Sequence, residues 1–518
     1  MEMGQPKRIV ILGAGVSGLT AAFEILERAK RREIDPPPEV IVLEASARPG
    51  GNVRTERDPV SGFLCEWGPE GFLDNVPETL DLAGRIGLGE RLIRANPEAG
   101  KRYILRGGRL RLVPTAPPAF FFSDVLPFPQ RLRVFGEPFA GGPPDPDRDE
   151  TVFEFASRRI GRGAADILVD AMVSGVYAGD SRSLSLRAAF PKMHRMEREY
   201  GSLVKAMIAR MKDRKRTRAK SGGPAGPGGT IASFVDGMEE LVERLVAAVG
   251  KERVRLNAPV AEIVRMDGAP VCSGAATDPE EAAGNGQRRV RAAVVLVSGE
   301  RIEADAIVIT APSWAAGPLF HRSDSDLARP LDEIPVASIA VVAAGYRRED
   351  IAHPLDGFGF LIPRSEKRRT LGTLWPASTF AGRAPSGHVL LRSMIGGATD
   401  PDAVKLDDKA LLDVAALEVN PALGVRGVPV WTRIFRFPRG IPQYTVGHMS
   451  RLARIEKALA IYSNLYIAGT SYYGIAVNST CERTPALADT VLANLWPSRA
   501  TDPGAPSRDV EGIQKQLF

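Results

Sequence analysis

Short apolar runs recur along the chain and set its organisation. Residues 8–12 (RIVIL) and 40–43 (VIVL) are β-branched runs of the kind buried in a sheet, and 19–30 between them repeats apolar positions at helical spacing. Together they predict a βαβ unit. Further strands are predicted at 254–256, 292–297, 306–309 and 465–468, and a helix at 487–495. Residues 81–211 carry mostly helical patterns. From 336 onward the pattern changes to strands at 336–346, 358–363, 370–375, 389–395 and 428–435, with one helix at 403–417, so an antiparallel or mixed sheet is expected. Four segments, 137–150, 212–230, 266–291 and 497–518, are rich in Gly, Pro, Ala or charge without periodicity and read as loops, linkers or a loose tail.

Composition narrows the classes. A chain of 518 residues with 44% apolar and 25% charged residues is long enough for two or three packed domains of an ordinary globular protein. The excess of 68 basic over 62 acidic residues is small and spread out, which argues against nucleic acid and leaves an anionic small molecule or lipid surface as partner. Cys65, Cys272 and Cys481 form neither a CxxC nor an even framework, so a reducing compartment is expected. The five histidines have no ligand spacing, and no metal is expected. The first strand follows Met1 too closely for a signal peptide, and the longest apolar stretch, 334–346, is shorter than the roughly 20 residues of a spanning helix. A cytoplasmic protein, free or peripheral on the inner face of the cell membrane, is the expectation.

The chemistry begins with ILGAGVSGL. Gly13 permits a tight turn after the first strand, Gly15 lets backbone approach a pyrophosphate, and Gly18 allows close packing of helix on strand. The helix N-terminus then faces the phosphate charge. Glu44 ends the next strand, where a carboxylate accepts hydrogen bonds from ribose hydroxyls. This combination predicts a bound dinucleotide, nicotinamide or flavin. The following ASARPGGNVRT adds a second glycine turn at Gly50 and Gly51, with Arg48 and Arg54 as donors toward the cofactor.

This Arg-x-Gly-Gly extension resembles the flavoprotein amine oxidase superfamily, as do DAIVITAP (305–312) and NLYIAGTSYYGIAVN (464–478). The resemblance implies FAD, with Val260, Gly469 and Val477 as further cofactor contacts. It also implies the fold class: α/β, a discontinuous Rossmann-like FAD domain from 6–80, 230–312 and 455–497, a mixed-sheet substrate domain at 313–454, and a mostly helical, membrane-associated region at 81–229. Residues 212–229, 266–291 and 498–518 are expected to be flexible.

SGVYAGDSRSLSLRAAFP (174–191), EYGSLV (199–204), GFGFLIP (357–363) and LGTLW (371–375) are similar to the protoporphyrinogen/coproporphyrinogen oxidase family. That resemblance implies three two-electron oxidations of a tetrapyrrole, with a flavin accepting hydride and O2 reoxidising it to give H2O2. No catalytic side chain is implied. It places Arg102, in KRYILRGGRLRLVP, on a substrate propionate, Gly175 beside the macrocycle, and Phe360, Leu361 and Trp375 as an apolar clamp. Met172, Val173 and Tyr177 share helical spacing and read as pocket or core. Two alternatives stay open: a coproporphyrinogen-specific enzyme, and a non-catalytic binding protein on the same fold. A monomer or homodimer is expected. Phe120, Phe121 and Phe122 with Val125, Leu126, Phe128 and Leu132 form an apolar patch beside Arg131 and Arg133, suited to peripheral membrane contact, and the basic run 212–220 reads as linker or lipid contact.

Overall fold

The computed structural model describes residues 5–209, 229–266 and 290–497. Of the expected loops, 137–150 is described and holds one 3-10 turn, Glu137–Phe139. The other three, with the basic run 212–220 and Cys272, lie outside the described residues apart from a few end positions.

A five-stranded parallel sheet orders Val254–Arg255, Glu39–Leu43, Arg8–Leu12, Ala306–Ile309 and Leu465–Ile467 side by side. Its central strands are covered on both faces, which is why 8–12 and 306–309 read as continuous apolar runs. Helices Val16–Arg31, Glu239–Val249 and Val477–Leu495 pack on the face bearing Ile9 and Ile11. The opposite face, bearing Val10 and Leu12, is covered by the antiparallel strands Val260–Arg265 and Ala292–Leu296 and by helices Ser325–Asp332 and His448–Leu459.

A second sheet has seven strands in the order Trp431–Pro442, Val336–Arg347, His388–Gly396, Thr370–Leu374, Gly357–Leu361, Lys101–Arg106 and Arg109–Leu112. It is mixed: only Gly357–Leu361 and Lys101–Arg106 run parallel. Helix Asp408–Leu423 packs on its back face against Ala340, Val342 and Ile395. The front face meets Phe63, Cys65 and Trp67 through Val341, Ala343, Leu390 and Phe435.

The region expected to be mainly helical departs from that reading where it begins. Residues 101–112 form a hairpin turned by Gly107 and Gly108, at φ +58° and +72°. Two successive left-handed residues match the twist of the flanking strands, and glycine adopts them without strain. Arginines at 102, 106, 109 and 111 hide the strand pattern by occupying positions an apolar residue would have marked. Beyond the hairpin the region is helical, with Pro117–Phe122, Phe128–Phe135, Val152–Ile160, Asp170–Tyr177 and Pro191–Tyr200. Val125 and Leu126, expected in an exposed patch, are buried with Ile104 and Ala171. Phe122, Phe128 and Leu132 are exposed. Among the described residues no helix is long and apolar enough to cross a membrane.

Candidate cofactor and substrate site

The three N-terminal glycines do different work. Gly13 sits at φ +104° and donates its N–H to the Leu43 carbonyl at 2.8 Å, joining the turn to the neighbouring strand. A methyl group on Gly18 would overlap the Gly13 carbonyl oxygen, so helix and turn meet only because position 18 has no side chain. Gly15 is the reverse: nothing lies within 4 Å of where its Cβ would be, leaving open space at the start of the helix. That helix begins with no side-chain cap, so the N–H groups of its first turn point into this space unsatisfied.

The second glycine turn faces the first. Gly50 donates to the Ala14 carbonyl at 2.7 Å, and a Cβ on Gly51 would stand 3.6 Å from Gly15 Cα. Glu44 closes the other end: one carboxylate oxygen accepts from Ala14 N–H at 2.8 Å, the other from Ser46 N–H and Oγ at 2.9 and 2.8 Å. Each carboxylate oxygen has two lone pairs, so the oxygen bonded to Ala14 keeps one acceptor site for a ribose hydroxyl. Ala258 N–H reaches the Glu44 carbonyl at 2.8 Å and brings the strand starting at Val260 alongside. The open cradle, uncapped helix and held carboxylate fit a dinucleotide of FAD type.

Arg48 is spent on the loop itself. It donates to the carbonyls of Pro49 and Gly51 at 2.9 and 2.6 Å, and burial lowers its pKa. The Arg54 guanidinium carbon lies over the Trp67 ring, 3.8 Å from its centre, and Trp67 stacks in turn on Phe435 of the second sheet. Arg54 thus stands between the two sheets.

At the C-terminal end of the last parallel strand, Gly469 sits at φ +112°, with the Thr310 carbonyl oxygen 3.2 Å from where a Cβ would be. Val477 opens the final helix, which also lacks a side-chain cap. Two residues missed from sequence hold the backbone between them. Tyr444 donates its hydroxyl to the Thr470 carbonyl at 2.6 Å and accepts from Gly474 N–H at 2.7 Å. His448 stacks on Tyr444 at 4.1 Å and places Nε2 3.0 Å from the Tyr472 carbonyl oxygen. Nε2 therefore donates, and Nδ1 is a buried acceptor without a partner among the described residues. No local signal marks IPQYTVGH, because the bridge is made only when two chain segments meet.

Burial lowers the His448 pKa from 6.5 to about 4. Between those values the unfolded chain binds more protons than the folded one, so this group's stability is present above 6.5 and lost as pH falls toward 4. At about 1.4 kcal/mol per unit the loss approaches about 3 kcal/mol. Thermal melts at pH 7 and 4.5 should show a smaller acid loss for His448→Gln than for the parent chain; equal losses would refute the assignment.

Strand pairing separates the predicted substrate residues. Arg102 pairs with Gly359, and Leu361 with Gly372, Met394 and, through it, Val341, all on the front face. A Cβ on Gly175 would lie 2.7 Å from Leu361 Cδ2, so the helix carrying Gly175 roofs this face. Phe360 pairs with Thr373 on the back face and is packed with Trp375, Leu391 and Leu423, both aromatic side chains at most 1% exposed. Neighbouring residues of a strand point to opposite sides, so Phe360 and Trp375 are core and only Leu361 of the expected clamp reaches the front. Val173 and Tyr177 are likewise buried core, with Met172 packed against them. The front face continues as Ile339, Leu371 and Ala178, flanked by Met394, Phe437 and Ile441, which the sequence reading did not single out. Gln443 Nε2 donates to the Tyr177 carbonyl at 2.8 Å and Ala398 N–H to that of Ala178 at 2.7 Å, fixing the end of the roofing helix over this floor.

Arg102 is exposed, and no acid among the described residues pairs with it. Of its basic neighbours, Lys101 pairs with Asp356, Arg106 with the Val125 carbonyl at 3.2 Å and Arg111 with Asp124, while Arg109, beside the hairpin turn, is exposed and like Arg102 has no acid partner among the described residues.

The sequence profile of the flavin containing amine oxidoreductase family matches residues 16–482. The chain is 32% identical over 492 residues to the chloroplastic protoporphyrinogen oxidase of Oryza sativa subsp. japonica, covering 91% of this chain and 86% of the relative. It is 26% identical over 502 residues to the coproporphyrinogen III oxidase of Bacillus subtilis (strain 168), covering 95% and 99%. A solved structure from Exiguobacterium sp. 255-15, provisionally named a protoporphyrinogen oxidase, superposes with a TM-score of 0.75 at 26% identity, over 95% of this chain and 99% of that one. UDP-galactopyranose mutase, at 16% identity and a TM-score of 0.66, shares the fold. The cofactor is FAD, and the chain is an oxidoreductase. With residues 16–482 inside the profile, it belongs to the flavin containing amine oxidoreductase family.

Proposed function

We propose that the chain oxidises protoporphyrinogen IX to protoporphyrin IX in haem biosynthesis, in three successive two-electron steps with O2 as acceptor and H2O2 as product. The observation that carries this reading is the front face of the mixed sheet: an apolar floor of Ile339, Met394, Phe437 and Leu361, facing the FAD domain, with Arg102, which has no acid partner among the described residues, at its edge. A flat apolar ring with a charged margin fits such a surface.

FAD, when bound, supplies a hydride acceptor and passes the electrons on to oxygen. The chain's own residues hold, orient and exclude water. Gly13, Gly15, Gly18, Gly50 and Gly51 supply close backbone; Glu44 takes the ribose; Arg48 shapes the loop; Arg54, Val260, Gly469 and Val477 line the remaining contacts. Arg102 fixes a propionate, and Gly175 lets the roofing helix lie near the macrocycle.

We assign 6–80, 230–312 and 455–497 to the FAD domain, 81–229 to the helical region and 313–454 to the substrate domain. Purified protein should be yellow and give porphyrin fluorescence and peroxide from protoporphyrinogen in air; a yellow protein that gives neither refutes the reading. A second reading, coproporphyrinogen III to coproporphyrin III, is favoured by the Bacillus subtilis relative, matched over 99% of its length.

A cytoplasmic protein with peripheral membrane contact, monomeric or dimeric, completes the reading. Phe122 and Phe139 are 82% and 91% exposed, and Phe128, Leu132 and Phe135, on the helix between them in the chain, are exposed as well. Changing Phe122 and Phe139 to Ser should lower sedimentation with anionic vesicles while leaving turnover of dispersed substrate intact. Equal partitioning would remove the membrane role.

A further inference from the structure

The strand Trp431–Pro442 carries three arginines at regular spacing, and two of them are committed. Arg433 pairs with Glu56 at 2.7 Å and Asp58 at 3.2 Å, and Arg436 with Asp408 at 2.7 Å. Arg439 has no acid partner among the described residues; it is exposed and lies over the Trp314 ring at 5.0 Å. Its position is unusual. Between the pairs Ile339–Phe437 and Ala337–Ile441 the strand holds two more residues than its partner, so 438–440 bulges out of the ladder. The bulge leans on the FAD domain, where Asn52, next to the second glycine turn, donates to the Gly440 carbonyl at 3.2 Å. Trp314 follows Ser313, whose N–H donates to Ser471 Oγ at 3.0 Å in the C-terminal flavin segment. Phe437 and Ile441, on either side of the bulge, belong to the apolar floor.

Arg439 and Arg102 therefore bracket one face. Their strands are first and sixth in the sheet, five steps apart, or about 24 Å across the strands at roughly 4.8 Å per step, and by register Arg102 is level with Ala343 while Arg439 lies opposite Ser338, about 16 Å further along at roughly 3.3 Å per residue. Carboxylates on adjacent pyrroles share one end of a macrocycle and reach one cation. A ligand meeting both must carry carboxylates at opposite ends.

We propose that Arg439 is a second carboxylate anchor, through which the enzyme also takes a porphyrinogen bearing a propionate on every ring, of the coproporphyrinogen type, besides the one bearing them at one end. This rests on the porphyrinogen reading above. A guanidinium supported by an indole face presents its donor edge outward to a carboxylate. No bond is made or broken by Arg439; it sets substrate choice through binding.

The test compares FAD-loaded parent enzyme, Arg439→Met and Arg439→Lys on both porphyrinogens, with titration of the air-stable products coproporphyrin III and protoporphyrin IX. Met keeps an unbranched chain over Trp314 and removes the charge; Lys keeps the charge. The parent should oxidise both porphyrinogens. In Arg439→Met the coproporphyrinogen KM and the coproporphyrin Kd should rise about tenfold, the size of one charge-assisted hydrogen bond, with the protoporphyrinogen values and kcat nearly unchanged and much of the loss restored by Lys. Equal losses on both substrates, or none, would overturn the anchor. If the parent binds and oxidises neither porphyrinogen, the reading of function falls, and the anchor with it.

Discussion

Gly18→Ala should give a colourless protein that cannot be reconstituted. The added methyl group would overlap the Gly13 carbonyl oxygen, with Thr310 Oγ1 the next neighbour at 2.7 Å. Overpacking against side chains costs about 1–3 kcal/mol because rotamers can yield. Here the obstacle is backbone in a tight turn that is hydrogen-bonded through Gly13 N–H to Leu43. Helix Val16–Arg31 must move off the sheet, and the cradle opens with it. Gly15→Ala is the matched control, since its Cβ enters empty space. That variant should fold with an unchanged apoprotein Tm and fail only in holding flavin. The ratio of flavin to protein absorbance, read with a melt in excess FAD, separates the two. A yellow, normally melting Gly18→Ala protein would show that the helix does not need this contact.

Arg102→Ala should raise the porphyrinogen KM by at least about tenfold, as expected for losing one charge-assisted hydrogen bond, with FAD retained. The argument rests on Arg102 having nothing else to do. It is exposed and pairs with no acid among the described residues, so removal leaves no buried group without a partner and the melt should not change. Lys101, paired with Asp356, and Arg111, paired with Asp124, carry the same charge but are engaged. Their alanine variants should bind substrate nearly as the parent does. An unchanged KM in flavin-loaded Arg102→Ala would refute its role.

What could be read from sequence follows from how local each feature is. The strand 306–309 was expected and found at those residues because burial on both faces leaves an uninterrupted apolar run. The glycine turn was legible because each glycine answers a backbone demand within a few residues. The hairpin at 101–112 carried an equally local signal, Gly107–Gly108, hidden by the arginines that made the segment interesting for another reason. Phe360 and Leu361 show a different limit. Both are apolar neighbours in one strand, and only the ladder decides which faces the pocket: Phe360 turned to the core with Trp375, Leu361 to Gly175. Tyr444, His448 and Arg439 depend on contacts between segments far apart in the chain, and one residue's type says nothing of its partner 26 residues on or in a distant helix.

The order of the parallel sheet has a consequence for synthesis. Its neighbours Arg8–Leu12 and Ala306–Ile309 are separated by nearly three hundred residues, and Leu465–Ile467 is the last of its five strands to leave the ribosome. The glycine turn emerges long before them, and until Ala306–Ile309 follows, its strand has only Glu39–Leu43 as a sheet neighbour. Pairings so distant in sequence are slow to close. The nascent protein therefore carries an apolar strand and helix that cannot be fully covered, and a cradle that cannot take up flavin, until Leu465–Ile467 and the helix after it have been made.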